Sequence, residues 1–459
     1  IAIISNNNEN NSTLIKRLKL LNIKNILVLE NYYPSKTKFS NYKSISSQED
    51  LLKFKFKINF SNDIIYDELC KLQRNSFVDI EDKDLHKTLK SFEEIILSAK
   101  NLIEVLEIKT LITSHNIGLY YGSLTNAAIM KKLKVFTLTI EANTLKFVQF
   151  TEKKYQHKFG SGPSKLSFEN LSNRKKTIIQ KLGQNYIFNR MNGSIKEVGA
   201  YFAYNKRKRI KINREYLKHK FGWNRNLPII TIFASNYIDF PRAHGLKTFL
   251  NFREFITDTI KELLKNKNIY VLLKSHPADE FYVKVKNTDP QFYINTFKSK
   301  NFKLVDLEWS NQNLIKLSDG IITSHGTIGI EATHLEKPVL CANIGWYGHI
   351  GFVLSTNNKE RFFRFIKNKF WEINPKKILL NKKLSQQFAG WYYCNPCHNE
   401  NYKVPDNFYG PKNFKTFTSW IQNNEIDLSR EIIYLKKWVN SKSFSYHSWK
   451  IEKNNWLQK

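Results

Sequence analysis

The stretch from Asp319 to Gly351, DGIITSHGTIGIEATHLEKPVLCANIGWYGHIG, leaves this chain few folding options. A short apolar run, Ile321-Ile322, stops at the polar cluster Thr323-Ser324-His325-Gly326-Thr327. Apolar residues then recur at helical spacing (Ile328, Ile330, Ala332, Leu335), and Pro338 ends them before a second apolar run, Val339-Leu340. The reading is strand, tight loop, helix, strand: one βαβ unit of a parallel sheet. Small hydroxyl residues at a helix N-terminus combine with backbone N–H groups and the positive end of the helix dipole, which suits an anion. Glu331, one turn into the helix, can accept hydrogen bonds from a sugar diol. Phosphate at the loop and ribose at the carboxylate together suggest a nucleotide site; an ordinary, well-capped βαβ unit is the competing reading.

Upstream lies a second signal, Val271-Leu272-Leu273-Lys274-Ser275-His276-Pro277. An apolar strand runs into a Lys and a His, and the proline holds His276 in extended geometry at the strand's end. In open α/β sheets that end of the strands is where ligands bind.

KSHP followed by SDGIITSHGTIGIEATHLEKPVL resembles the C-terminal half of the bacterial capsule-polysaccharide synthesis glycosyltransferases. These are GT-B enzymes that include the Kdo transferases and are similar to bacterial sialyltransferases using CMP-sugars. The motif-bearing resemblance covers roughly residues 225 to 355, with a weaker echo at 105 to 140. It implies that His276, with Ser324 and Thr327, contacts the donor phosphate and that Glu331 binds the ribose. His325 departs from the pattern, since a second Ser is common there. In the retaining Kdo branch an Asp ahead of the His-Pro motif is the nucleophile, and Asp239 holds a comparable place.

Composition narrows the setting. A chain of 459 residues, 41% hydrophobic, can bury more than one core, and two domains are the natural expectation. It has no run of about 18 apolar residues that would span a membrane, and no secretory segment opens it. The net charge of +33 points to anionic partners, or to a Lys-, Asn- and Ile-rich composition throughout. Its best functional reading is a cytoplasmic enzyme peripheral to the inner face of an anionic membrane. Lys206-Arg207-Lys208-Arg209 is the one compact basic tract, and with no recognition fold beside it no nucleic-acid partner is expected. Four cysteines fit a reducing compartment. Cys394-Asn395-Pro396-Cys397-His398 matches a haem-attachment or half-zinc pattern, but lacks the second ligand pair of a structural zinc. No metal and no cofactor beyond the donor itself is expected.

The first half repeats the pattern in its own terms. Ala2 to Ser5 and Asn25 to Leu29 read as strands, Phe54 to Phe60 as another, and residues 84 to 106 as a long helix. Strand Thr110 to Thr113 delivers Ser114, His115 and Asn116; a loop Gly118 to Gly122, a helix Leu124 to Lys132 and a strand Lys134 to Leu138 follow. His115 is a candidate acceptor contact or base, against a loop His that caps the next helix. Glu141, just past the last strand, can deprotonate an acceptor hydroxyl if burial raises its pKa, against an ordinary solvated Glu.

Pro228 opens the second half. Strand Ile229 to Ala234 leads to Ser235-Asn236-Tyr237-Ile238-Asp239, where Asp239 is a nucleophile, a base, or the cap of the following helix. Gly345-Trp346-Tyr347-Gly348-His349 reads as a flexible aromatic loop able to line the donor sugar. Aromatic-rich amphipathic helices close the chain at 357–373, 379–392, 413–423 and 428–440.

The fold expected is therefore α/β and GT-B: two facing Rossmann-like domains with C-terminal helices packing back on the first. The boundaries are 1–225 (acceptor), 226–375 (nucleotide donor) and 376–459 (helical extension). The implied activity is transfer of Kdo or a related acidic sugar from a CMP-activated donor to an anionic surface glycan or glycolipid. Asp239, His276, His115 and Glu141 are the catalytic candidates; Lys274, His276, Ser324, His325, Gly326, Thr327 and Glu331 are the donor-binding ones. The alternatives are a CDP-glycerol-type polyol-phosphate transferase, a nucleotide-sugar epimerase, and a basic RNA- or membrane-binding protein on a degenerate scaffold.

Overall fold

The computed structural model describes residues 2–4, 27–29, 39–113, 115–141, 144–152, 165–195, 200, 203–204, 210–276, 284–394, 419, 422–444 and 446, in backbone alone at 2–4, 27–29, 138–141, 144–147 and 167. Two parallel pairs open it: β1 (Ala2–Ile4) with β2 (Leu27–Leu29), and β3 (Thr110–Thr113) with β4 (Lys134–Glu141). The strand expected to stop at Leu138 continues to Glu141. From Val135 to Glu141 it pairs with antiparallel β5 (Thr144–Phe150). The alternating Thr-Leu-Thr-Ile run suits a pleated surface.

The expected strand Phe54 to Phe60 does not form. Residues 54–60 are irregular and follow a helix, Gln48–Lys53, capped by the Ser47 hydroxyl on Asp50 N–H at 3.0 Å. The alternation in Phe54, Phe56, Ile58 and Phe60 serves packing against the core rather than a sheet ladder, with the Phe54 and Phe56 rings 4.7 Å apart. The helix Leu119–Met130 starts five residues earlier than the sequence suggests, so Gly122 lies inside its first turn. Only Gly118, at φ +83°, makes the turn that needs a glycine.

The second half is a six-stranded, all-parallel sheet of β6 (Ile229–Phe233), β7 (Tyr270–Lys274), β8 (Phe302–Leu304), β9 (Gly320–Thr323), β10 (Val339–Cys341) and β11 (Leu354–Ser355). The order across the sheet is β11-β10-β9-β6-β7-β8. This is the doubly wound Rossmann order, and its direction reverses between β6 and β9. The central strands read as continuous apolar runs because both faces are covered.

Side chains alternate between two cores. Ile230, Ile232, Val271, Leu273, Ile322 and Leu340 face one, with the helices Asn62–Gln73, Leu85–Val105, Phe252–Leu263 and Lys359–Lys367. Ile229, Phe233, Leu272, Ile321 and Val339 face the other, with Asn173–Met191 and Pro375–Cys394. The first core thus draws on residues from Tyr42 to Trp371. One joint is well defined: Arg242 Nε bonds Asp63 Oδ1 at 2.8 Å, and Asp67 accepts the Arg242 and Ala243 N–H groups at 3.2 and 2.8 Å.

C-terminal helices return to the earlier part of the chain. The helix Glu425–Val439 lies by β4 and β5, with Trp438 against Phe136 and its carbonyl accepting from Gln149 Nε2 at 2.7 Å. Pro375–Cys394 crosses Asn173–Met191 so closely that a Cβ on Gly390 would sit 1.8 Å from Ile179 O, and one on Gly183 1.8 Å from Gln386 O. Only glycine fits at either position. Among the described residues no helix is long and apolar enough to cross a membrane.

Candidate active site

The site is built from what the strands deliver at the sheet's reversal. β6 and β9 are neighbours, in register Phe233 to Thr323, so the residues following each emerge side by side. The Ser235 and Ser324 hydroxyls meet at 2.7 Å. On the other side of β6, Phe233 is in register with Lys274, which brings His276 past the end of β7 toward the segment after β6. Asn236 Oδ1 accepts Ile238 N–H at 3.1 Å and shapes the turn that carries Asp239.

Asp239 and His276 face each other electrically. Burial raises the Asp239 carboxyl above the ordinary carboxylate range, and the charges of His276 and Lys71 oppose that rise. Burial lowers the His276 imidazole, with Asp239 opposing. By surface area Asp239 is an exposed residue, and solvent access moderates the rise of its carboxyl. A carboxylate of raised basicity beside a neutral imidazole can take a proton from a hydroxyl or attack an electrophilic carbon.

The loop after β9 is held from behind. Tyr347, expected in a flexible sugar-lining loop, is buried instead, and its hydroxyl donates to Gly326 O at 2.7 Å. A Cβ on Gly329 would lie 2.2 Å from that hydroxyl. Trp346 Nε1 donates to His325 O at 3.1 Å. His325 turns its ring toward Asn343, Nδ1 to Nδ2 2.8 Å, with His244 and Phe252 beside it. Burial, then the neighbouring His244, pushes the His325 imidazole down to about 3. The helix Ile328–His334 is only seven residues long, and its first N–H groups bond back to Gly326 and Thr327. The loop's shape, more than a long dipole, therefore defines this end of the sheet.

Glu331 is buried at 4% exposure and already partnered: Arg190 Nε donates to Oε1 at 2.7 Å, and the Tyr204 hydroxyl to Oε2 at 2.5 Å. Arg190 Nη2 also reaches Thr327 Oγ1 at 3.4 Å. Lys274 is 2% exposed, so its ammonium lies within the packing at the end of β7 rather than on the open face.

The remaining candidates lie on the other half. His115 is exposed, its ring 5.3 Å from Tyr121 and its carbonyl accepting from Thr113 Oγ1 at 2.5 Å. Three residues on, Gly118 packs on Phe240, the neighbour of Asp239, so this loop borders the same region. The N-terminus of the helix Leu119–Met130 is occupied by a carboxylate, since Leu119 N–H donates to Glu68 Oε1 at 2.7 Å. Glu141 ends β4, paired with Thr144. Ser114, Pro277, the Lys206–Arg209 tract, Cys397 and His398 lie outside the described residues. Cys394 is half-buried, its Sγ near Leu182 O.

Sequence reasoning named Ser235 only as part of the segment that leads to Asp239, and it overlooked Arg190, Tyr204 and Lys71. No local motif marks them. Lys71 stands on Asn62–Gln73 with its ammonium 5.0 Å from the Phe240 ring centre.

Residues 167–388 match the family described as capsule polysaccharide biosynthesis protein. Among solved structures the chain is similar to the β-Kdo 2,4 transferase KpsC of Thermosulfurimonas dismutans, at 15% identity over 63% of this chain and 84% of that one, TM-score 0.36. The β-Kdo 2,7 transferase of the same organism gives 14%, 62%, 80% and 0.34. The UDP-GlcNAc 2-epimerase of Neisseria meningitidis gives 15%, 83%, 88% and 0.27. No curated protein matches the chain by sequence.

Proposed function

We propose that the chain, whose residues 167–388 match the capsule polysaccharide biosynthesis family, is a glycosyltransferase moving an acidic sugar, Kdo or a relative, from a CMP-activated donor to a surface glycan or glycolipid. One observation carries this reading: Ser235 with Asp239 and Ser324 follow β6 and β9, the strands between which the order reverses, His276 follows the adjacent β7, and Ser235 and Ser324 are in hydrogen-bond contact.

The Ser324–Thr327 loop receives the donor phosphate through the half-buried His325–Thr327 segment, its backbone N–H groups and the Thr327 hydroxyl, while fully buried Ser324 braces the loop against Ser235. His276, neutral at pH 7, donates a hydrogen bond to the departing phosphate oxygen, while buried Lys274 adds positive potential from beneath. Glu331 has spare acceptor lone pairs for the ribose diol beyond those used by Arg190 and Tyr204. Asp239 attacks the anomeric carbon or takes the acceptor's proton; its raised pKa suits proton transfer. His115, across Gly118 and Phe240, contacts the acceptor.

The test is binding of CMP, CDP, UMP and UDP followed by thermal denaturation. CMP should stabilise the protein selectively, and Ser324→Ala and His276→Ala should remove that gain. Selective stabilisation by a uridine nucleotide would reassign the donor, and no response to any of the four would overturn the transferase reading.

A further inference from the structure

The ion pair between Arg190 and Glu331 joins two distant parts of the chain beneath the donor loop. Both side chains are nearly solvent-free, at 4% and 5% exposure. A buried pair of this kind is weak grounds for stability, because desolvation of both ions offsets their attraction. Its geometry suggests a second purpose. One guanidinium uses Nε on Glu331, the ribose-side carboxylate, and Nη2 on Thr327, the phosphate-side hydroxyl. Tyr204 closes the arrangement from the far oxygen of Glu331.

Arg190 itself is firmly mounted. It sits in the last turn of Asn173–Met191, a helix fixed by the glycine crossing with Pro375–Cys394. That partner helix also holds the far end of the helix carrying Glu331, through Gln386 Nε2 to His334 Nδ1 at 3.2 Å and Lys382 to Glu336 at 2.7 Å. Arg190 and the two groups it touches are thus referenced to one helix frame outside the sheet.

We propose that Arg190 is a positioning residue of the donor site, a single planar group that sets the spacing between the ribose-binding carboxylate and the phosphate-binding hydroxyl. This rests on the donor-site reading above. Lysine cannot replace it, because a point charge makes one directed contact where the guanidinium makes two in fixed relation.

The experiment compares wild type, Arg190→Lys, Arg190→Met, Glu331→Gln and the Arg190→Met/Glu331→Gln pair. Folding is followed by denaturant unfolding and CMP affinity by calorimetry on the folded fraction. Arg190→Lys should stay folded yet bind CMP about 10- to 100-fold more weakly, the scale of one charge-assisted contact. The double variant should recover stability relative to Arg190→Met, since no lone buried carboxylate remains, without recovering CMP affinity. If wild type binds CMP and Arg190→Lys binds it within about twofold, the pair is structural only and the inference fails while the donor site stands. If wild type binds no CMP, the donor-site reading fails and takes the inference with it.

Discussion

His325 shows how much a single residue's surroundings change its meaning. In sequence it is one more polar residue in a candidate phosphate loop; in the fold its ring lies against Asn343, His244 and Phe252. Its imidazole is pushed down to about 3 from 6.5, so in the native state it stays neutral over a range where the unfolded chain takes up a proton. Stability therefore falls as pH drops from about 6.5 toward about 3, and is full above that window. Denaturant unfolding at pH 7.5 and 5 should show a smaller loss for His325→Asn than for wild type; equal losses would refute the assignment. Asp239 gives a second prediction. With its carboxyl raised, transfer activity should fade on the acid side at a pH above the ordinary Asp value of 3.8. Asp239→Asn should lose most activity at every pH while keeping CMP binding, measured by donor consumption and calorimetry.

At the scale of elements, the sheet of the second half was legible because its strands are apolar runs ended by Pro, Gly or small hydroxyl residues. β6, β7, β9 and β10 lie where those runs predict. The first half was less legible. Phe54 to Phe60 alternates like a strand, yet the alternation is set by packing on helices; a period of two reports which side is buried, not whether a partner strand exists. Gly118 and Gly122 look like one loop, but Gly122 is a helical residue at ordinary contact distance from Ile64 and Phe60, where a methyl group would also fit. The glycine crossing of Asn173–Met191 with Pro375–Cys394 was invisible, because its two halves are far apart in sequence. It yields a direct prediction. Gly390→Ala places a methyl against the backbone carbonyl of Ile179, which cannot move aside, and should cost about 3 kcal/mol or more. Thermal denaturation checks it, and an unchanged melting temperature would mean the helices do not cross this closely.

The candidate site divides along the same line when the whole molecule is considered. Ser324, Thr327, His276 and Asp239 could be read from motifs, because each follows its strand directly and strand ends in a parallel sheet share one edge. Arg190 and Lys71 could not, because they reach the site from helices whose placement depends on tertiary packing. The molecule is organised to bring those helices in: Asp63 and Asp67 fasten Asn62–Gln73 to the turn after Asp239, and the glycine pair fastens Asn173–Met191 behind the donor loop. Everything proposed for this molecule depends on a CMP site at the reversal of the sheet. Its most direct measurement is the CMP-dependent rise in melting temperature of wild type beside Ser324→Ala. We predict a rise with CMP that exceeds those with UMP and UDP and is lost in the variant; an equal rise in the variant, or none in wild type, would contradict the account.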